Sequence, residues 1–266
     1  MANAFVTYLY GKRMAKRISN IIEYTPITNS SLDPFAAIYN ITPNAVLSAE
    51  KVENAFTRWG ALVYPGFVAL DVISIGTYAE SVAMEPGYLG NMSVIAPTLD
   101  DVKMSSLVPG GGQFMVPTYH LSNPPKLDVL IVPGLPTAGP FPYEKELVAY
   151  IRTVYPSLKH IISVGTGSML LASAGILEGR SATTSKSLFH AATKPYRKGH
   201  KINWTAGRWV RDGNVWTTSS TTAGLDSGNA LSIAMFGKKA TFWASTQMEY
   251  LPSNDPSNDP FAFLMN

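Results

Sequence analysis

Apolar and polar positions change their rhythm near Trp59. From there on, short apolar runs with branched side chains alternate with longer segments of helical periodicity. The short runs predict strands at 61–64, 92–96, 127–132 and 161–164, and the longer segments predict helices at 68–83, 143–154 and 225–236, the last one stopped by Gly237. This alternation predicts an α/β fold with a mostly parallel sheet and helices on both faces.

The two ends of the chain lack that alternation. Residues 1–57 are predicted to be an N-terminal extension, with a helix over 1–22, a loop over 25–43 and a short helix over 48–56. Residues 58–240 are predicted to form the α/β domain. Residues 241–266 are predicted to be a turn-rich C-terminal tail, in which Phe261, Phe263 and Leu264 suit docking on a neighbouring molecule.

A strand, a sharp turn and a helix follow one another at 161–177. The apolar strand ends in Gly165-Thr166-Gly167, and an Ala-rich helix begins at once. Such a unit holds the residue at its tip above the carboxyl end of a parallel sheet, where ligands of this fold class bind. The tip residue is Gly165, which has no side chain. Two further loops, 65–71 and 133–140, are predicted at the same edge.

Composition narrows the functional classes. The 266 residues are 46% hydrophobic and only 15% charged, with a net charge of +3 and no basic block, so nucleic acid is not an expected partner. The absence of cysteine removes thiolate nucleophiles and thiolate metal sites, and the histidines lack ligand spacing, so neither metal nor cofactor is expected. No apolar run approaches membrane-spanning length and no signal peptide is recognisable, which predicts a cytoplasmic protein that does not bind membranes.

Five fragments in order resemble the DJ-1/PfpI superfamily, the class I glutamine amidotransferase-like fold, and most of all its isonitrile hydratase-like branch. They are Tyr64-Pro65-Gly66-Phe67 with Leu70-Asp71, the run from Leu127 to Gly134, the run from Ser163 to Arg180, Ala182-Thr183-Thr184, and Arg211 to Val215 through to Asp226. The resemblance implies a flavodoxin-like three-layer sandwich. It also implies a homodimer, for which the N-terminal arm and the tail are natural exchange elements.

The resemblance also implies a site from which one residue is missing. Family members usually carry a cysteine at the position of Gly165 and an acid at that of Asp71. Backbone amides in the segments of Gly134, Leu135 and Thr166 lie where an oxyanion would be held. Many members have a histidine where this chain has Ser185, and His190, five residues further on, is a possible substitute.

Asp71 is the best remaining catalytic candidate, with two interpretations of its environment. Burial in the apolar run 68–75 would raise its pKa toward values useful for proton transfer. Backbone amides at the start of the helix would instead lower the pKa. Thr166 and Ser168 are weaker candidates, since their hydroxyls are better explained as parts of the turn.

Three functions fit these residues. The first is an enzyme that acts on a small, largely apolar metabolite by cysteine-independent acid–base chemistry, such as hydration, dehydration, isomerisation or cyclisation, with Asp71 moving the proton. The second is a non-catalytic binding or regulatory protein that kept the pocket. The third is an isonitrile hydratase or glyoxalase-type enzyme that lost its nucleophile by replacement of cysteine with Gly165, in nature or by design.

Overall fold

A computed structural model of the chain describes residues 2–22, 24–25, 55–84, 88–105, 112–136 and 141–265. The helices are α1 Ala2–Ile21, α2 Ala69–Ala83, α3 Glu144–Val154, α4 Ser168–Ser173, α5 Phe189–Thr193 and α6 Thr221–Gln247. The strands are β1 Ala55–Leu62, β2 Tyr88–Ala96, β3 Val102–Lys103, β4 Phe114–Met115, β5 Tyr119–His120, β6 Val129–Val132, β7 His160–Val164, β8 Ser181–Ala182, β9 Asn203–Trp204, β10 Trp209–Asp212 and β11 Val215–Thr218.

Seven strands within the described residues form one sheet in the order β10-β11-β7-β6-β1-β2-β5. Strand β10 is antiparallel to β11, and the other neighbours in this sheet are parallel. Helices joining parallel strands must cross over a face of the sheet. The carboxyl ends of β1, β6, β7 and β11 therefore meet at one edge.

Side chains of β6 alternate between two apolar layers. Leu130 packs in a cluster that contains Leu147 of α3, whereas Ile131, the next residue, packs in another cluster with Ile75 of α2 and Leu231 of α6. A strand buried on both faces explains the continuous apolar run of the sequence. The predicted three-layer α/β sandwich with a mostly parallel sheet is confirmed.

Several predicted boundaries were wrong. Strand β1 begins at Ala55, six residues earlier than predicted, because its ladder with β2 runs from Ala55–Tyr88 to Leu62–Ile95. The sheet thus starts before residue 58. Residues 55 and 56 of the helix predicted over 48–56 belong to this strand, and residues 48–54 lie outside the described residues. Helix α6 begins at Thr221, four residues before the predicted start at 225. Its helical conformation is interrupted at Gly237, as predicted, with φ of 83° and ψ of 166°, and a second helical segment runs on to Gln247.

The C-terminal segment packs on its own chain. The Phe261 side chain is only 4% exposed, and that of Asp259 is buried against Lys186, with 3.2 Å between Nζ and Oδ2. The Arg208 amide donates to the Pro256 carbonyl at 2.8 Å. The expectation that Phe261 docks on a neighbouring molecule was wrong, because a pattern of apolar residues does not say which surface will cover them.

Candidate active site

Four loops converge at the carboxyl edge of the sheet. They follow β1, β6, β7 and β11, and they bring Asp71, Gly134, Gly165 and Thr221 together. Sheet order alone requires this, since these four strands are consecutive neighbours and all point the same way. The predicted convergence of 65–71, 133–140 and 165–168 is observed as far as residue 136, beyond which residues 137–140 lie outside the described part.

Gly165 adopts the left-handed conformation expected of an elbow, with φ of +53°. A Cβ placed there would lie 3.8 Å from the Ser219 carbonyl oxygen, an ordinary contact distance. Glycine at this position therefore relieves backbone strain, and the surroundings would accept a small side chain. Two buried hydroxyls hold the elbow: Thr184 Oγ1 and Ser168 Oγ donate to the Gly165 carbonyl at 3.1 and 3.0 Å.

Asp71 lies in the first turn of α2 and is only 3% exposed. Its Oδ2 accepts from the Gly134 amide at 2.9 Å, and its Oδ1 accepts from the Thr221 hydroxyl at 2.8 Å. Burial raises the pKa of Asp71 from 3.8 to about 6, although both hydrogen bonds oppose the rise. Of the two interpretations, burial prevails, and the amide that reaches the carboxylate comes from another loop.

The loop after β6 fits tightly against this carboxylate. A Cβ on Gly134 would come within 3.1 Å of Asp71 Oδ2 and 3.3 Å of Thr166 Oγ1, so the close approach favours glycine. The buried Tyr64 hydroxyl donates to the Pro133 carbonyl and holds the loop from behind. Burial, with Asp71 nearby, raises the pKa of Tyr64, and the phenol stays neutral.

The predicted oxyanion amides differ in their availability. The Leu135 amide donates to Thr166 Oγ1 at 2.8 Å, and the Gly134 amide donates to Asp71. Both are therefore already engaged, which the sequence did not indicate. The Thr166 amide lies in the single 3₁₀ turn Gly165–Gly167, at a position where backbone N–H groups have no partner within the helix.

Ser185 stands at the position of the family's histidine and His190 was its possible substitute. Among the described residues, neither forms a hydrogen bond with the Asp71 carboxylate. Ser185 Oγ lies 3.2 Å from Ser187 Oγ. His190 is exposed; its Nε2 lies 2.6 Å from the Met265 carbonyl and its Nδ1 lies 3.0 Å from the Arg197 guanidinium. His190 thus faces the C-terminal segment and, among the described residues, forms no hydrogen bond with Asp71 or Gly165, so its role as a substitute for a pocket histidine stays a prediction.

Two hydroxyls of the site were missed from the sequence. Thr184 and Thr221 contact the elbow and the acid, respectively, and both are buried. One signal was present: 217–222 is an unbroken run of six Ser and Thr residues directly at the end of a buried strand. Hydroxyl side chains at a carboxyl edge are natural hydrogen-bond partners for a buried carboxylate.

Neither a metal-binding cluster nor a membrane-spanning helix is found among the described residues. Across the described ranges, no three His, Asp or Glu side chains lie together as a metal would require. In the same residues no helix is long and apolar enough to cross a bilayer.

The model of the DJ-1/PfpI family matches residues 71–232, and the chain belongs to that family. It is 32% identical over 164 residues to the isonitrile hydratase of Pseudomonas putida. The aligned region covers 58% of this chain and 67% of the relative. It is 28% identical over 108 residues to a deglycase of Pyrococcus horikoshii, covering 41% of this chain and 61% of the relative.

Solved structures agree on the fold. A THiJ/PfpI family protein from Pseudomonas syringae superposes with a TM-score of 0.64 at 27% identity, over 80% of this chain and 84% of the other. An AraC family transcriptional regulator from Pseudomonas putida superposes with a TM-score of 0.61 at 15% identity, over 72% and 99% of the two chains. The second likeness concerns the fold alone.

Proposed function

We propose that this chain is an enzyme that adds water to a small, largely apolar substrate, or rearranges it, by acid–base chemistry in which Asp71 moves the proton. The chain has no cysteine, so no thiol adduct forms at the elbow. The isonitrile hydratase relative supports hydration as the first reaction to test.

The observation that carries the proposal is the environment of the Asp71 carboxylate. Its two hydrogen-bond donors, Gly134 N–H and Thr221 O–H, are both neutral, and burial raises its pKa to about 6. An acid with a pKa near the working pH exchanges protons in both directions at useful rates. Most other carboxylates at pH 7 are too weakly basic for this role.

The protons balance in these reactions without a nucleophilic side chain of the protein. In hydration, Asp71 takes a proton from the attacking water and returns it to the substrate, so that the carboxylate is restored and both hydrogens of the water end on the product. In isomerisation, the proton leaves one substrate atom and returns to another. We infer that the Thr166 amide, whose position in the turn after β7 leaves it without a partner in that turn, stabilises developing negative charge.

The test uses the full chain with a panel of small alkyl isonitriles, whose hydration to formamides is followed by NMR, and with small apolar ketones in D2O, whose proton exchange is followed likewise. We expect turnover in at least one series. Asp71→Asn should lower it about 10²–10⁴-fold. The rate should rise with pH through a pKa near 6, where the carboxylate becomes the base.

The matched control is Asp100→Asn, the same change at an exposed position outside the site. It should leave the rate unchanged. Full activity in Asp71→Asn, with its fold verified by circular dichroism, would remove Asp71 from the mechanism.

A second function is favoured by the engaged amides. Because Gly134 N–H and Leu135 N–H are both bonded to side chains, the loop resembles a closed binding site more than an open oxyanion hole. We infer as the alternative a non-catalytic protein that binds a small molecule. It predicts saturable binding by calorimetry without product, and an Asp71→Asn variant that changes affinity alone.

The third hypothesis, a hydratase without its nucleophile, has its own experiment. Gly165→Cys places a thiol where the surroundings leave space, at the start of the turn that carries the Thr166 amide. Gain of a reactive thiol and of isonitrile hydration would support the hypothesis. A reactive thiol without hydration would contradict it, and Gly175→Cys, also at a positive φ with open space, is the control.

We also propose that the protein is a homodimer. Leu70 and Ile73 flank Asp71 on α2 and are 43% and 48% exposed, an apolar face beside the site. Light scattering at micromolar concentration should give twice the mass of the chain, and Ile73→Glu should give the single mass. A monomeric parent protein would refute this. Cytoplasmic location stays a prediction.

A further inference from the structure

The described residues form a cavity whose walls share no residue with the Asp71 site. Its volume is about 850 Å³, and neither Asp71 nor Gly165 lines it. Its walls come from the β10–β11 hairpin, from both halves of α6 around Gly237, and from the chain after α6. We propose that this cavity binds a small apolar anion: an aromatic or branched aliphatic body carrying a carboxylate or sulfonate.

The size and the walls select the body of the ligand. Binding cavities for small molecules usually measure about 300–1,000 Å³ and are lined by aromatic and aliphatic side chains. Large apolar side chains supply most of the wall here, namely Trp209, Trp216, Ile233, Phe242, Tyr250 and Leu251. Aromatic rings on several sides suit a flat or compact apolar body.

The charges select the anion. Arg211 and Lys238 both line the cavity, and no Asp or Glu is among its lining residues. Within the described residues neither cation forms an ion pair. The Arg211 guanidinium stands 4.8 Å from the centre of the Trp216 ring, which holds a flat cation against an apolar wall.

Buried amide and hydroxyl groups complete the wall. Asn229 is nearly buried; its Oδ1 accepts from Ser245 Oγ at 3.2 Å and its Nδ2 donates to Asn254 Oδ1 at 3.3 Å. Both bonds are long, and all three residues line the cavity. A few polar groups in an otherwise apolar wall orient a ligand rather than supply its affinity.

The experiment compares two fluorescent probes of similar shape. Anilinonaphthalene sulfonate is an apolar anion, and phenylnaphthylamine is its uncharged counterpart. We expect saturable binding of the sulfonate, with energy transfer from tryptophan. Lys238→Gln and Arg211→Gln should each weaken the sulfonate about tenfold and change binding of the uncharged probe less than twofold.

Three variants locate the binding. Ile233→Trp fills the cavity and should weaken both probes, whereas Lys145→Gln on exposed α3 should weaken neither. Asp71→Asn should leave sulfonate binding unchanged, which separates this cavity from the candidate active site. Thermal unfolding followed by circular dichroism verifies that each variant is folded.

The proposal is overturned by any of three results: no saturable sulfonate binding, equal losses for both probes in the Gln variants, or no effect of Ile233→Trp. A second copy of the chain seated on the cavity is also distinguishable. In that case sulfonate binding would decline as protein concentration rises into the dimer range, and the cavity would be an interface and not a ligand site.

Discussion

Two aspartates at opposite ends of the central strands are equally buried, but they differ in their side-chain partners and in the direction of their pKa shifts. Asp71 at the carboxyl edge and Asp128 at the amino end of β6 are each 3% exposed. Asp128 accepts from the Arg58 amide and guanidinium at 2.8–3.0 Å and lies 3.3 Å from Lys159 Nζ. Among the residues that the structure describes, Asp71 has no cation as a hydrogen-bond partner.

The consequence is a pair of pKa values shifted in opposite directions. Hydrogen bonds from Arg58 lower the pKa of Asp128, whereas burial raises that of Asp71 to about 6. At the amino end of the strands, Arg58 and Lys159 compensate the buried charge of Asp128. At the carboxyl edge, the donors to Asp71 are neutral and leave its charge without a paired cation. Burial alone therefore does not decide the direction in which a carboxylate's pKa is shifted; the presence or absence of a paired cation does.

The largest effect on stability is expected from Asp128→Asn. Its amide cannot replace a charged acceptor for Arg58 and Lys159, so the free energy of unfolding at pH 7 should fall by about 3 kcal/mol. Because the pKa of Asp128 is lowered by folding, its contribution is present above 3.8 and is lost as pH falls further. Urea unfolding of the parent and the variant at pH 7 and at pH 3 measures the loss of unfolding free energy and its pH dependence. Equal losses at the two pH values would contradict the assigned role of the Asp128 charge.

Asp71→Asn should change stability in the other direction. An asparagine can accept from Gly134 N–H and donate to Thr221 Oγ1, and it carries no charge. Folding raises the pKa of Asp71, so its protonated form favours the folded state and this stability is lost as pH rises from 3.8 through about 6. We expect the variant to be about 2 kcal/mol more stable at pH 7.5, with little difference at pH 3.5.

Urea unfolding across that pH range is the measurement for Asp71→Asn. A variant that is less stable at every pH would mean that the carboxylate is a structural acceptor like Asp128.

Gly165→Ala tests whether backbone conformation or space makes glycine suitable at the elbow. Since a Cβ meets only the Ser219 carbonyl at 3.8 Å, the cost should come from the positive φ alone, about 1.5 kcal/mol in thermal unfolding. Gly175→Ala, at φ of 78° with nothing near its Cβ, should cost the same. A much larger loss at Gly165 would show that the elbow has no room for a side chain.

Thr221→Val gives the smallest effect and the finest test. Removing the hydroxyl takes away a bond that lowers the pKa of Asp71, which should then rise above 6. Stability should fall by about 1 kcal/mol at pH 7.5, where Asp71 is charged, and by less at pH 4.5. NMR titration of the labelled carboxyl measures the pKa; Thr77→Val on the outer side of α2 is the control.

Much of the fold was predictable because it depends on short stretches of chain. The buried run of β6, the helical spacing of α3 and the glycine turn after β7 all show their periodicity within about 15 residues. Where prediction failed, a distant contact was responsible, since the ladder with β2 lengthened β1. The loops 65–71, 133–140 and 165–168 were expected to converge because loops that follow neighbouring parallel strands meet at one edge. Within them, the family resemblance pointed to Asp71, Leu135 and Thr166, and the roles of these residues stay predictions.

The α/β alternation and the elbow at Gly165 follow from the local pattern of residues, and the family resemblance singled out Asp71. The protonation behaviour of that acid depends on contacts between distant parts of the chain. Its partner Thr221 is 150 residues away, the Leu135 amide is engaged by Thr166, and His190 is turned toward Met265. The physical reason is that periodicity reports which face of an element is buried, whereas a pKa depends on the water, charges and donors that the assembled sheet leaves around one carboxylate.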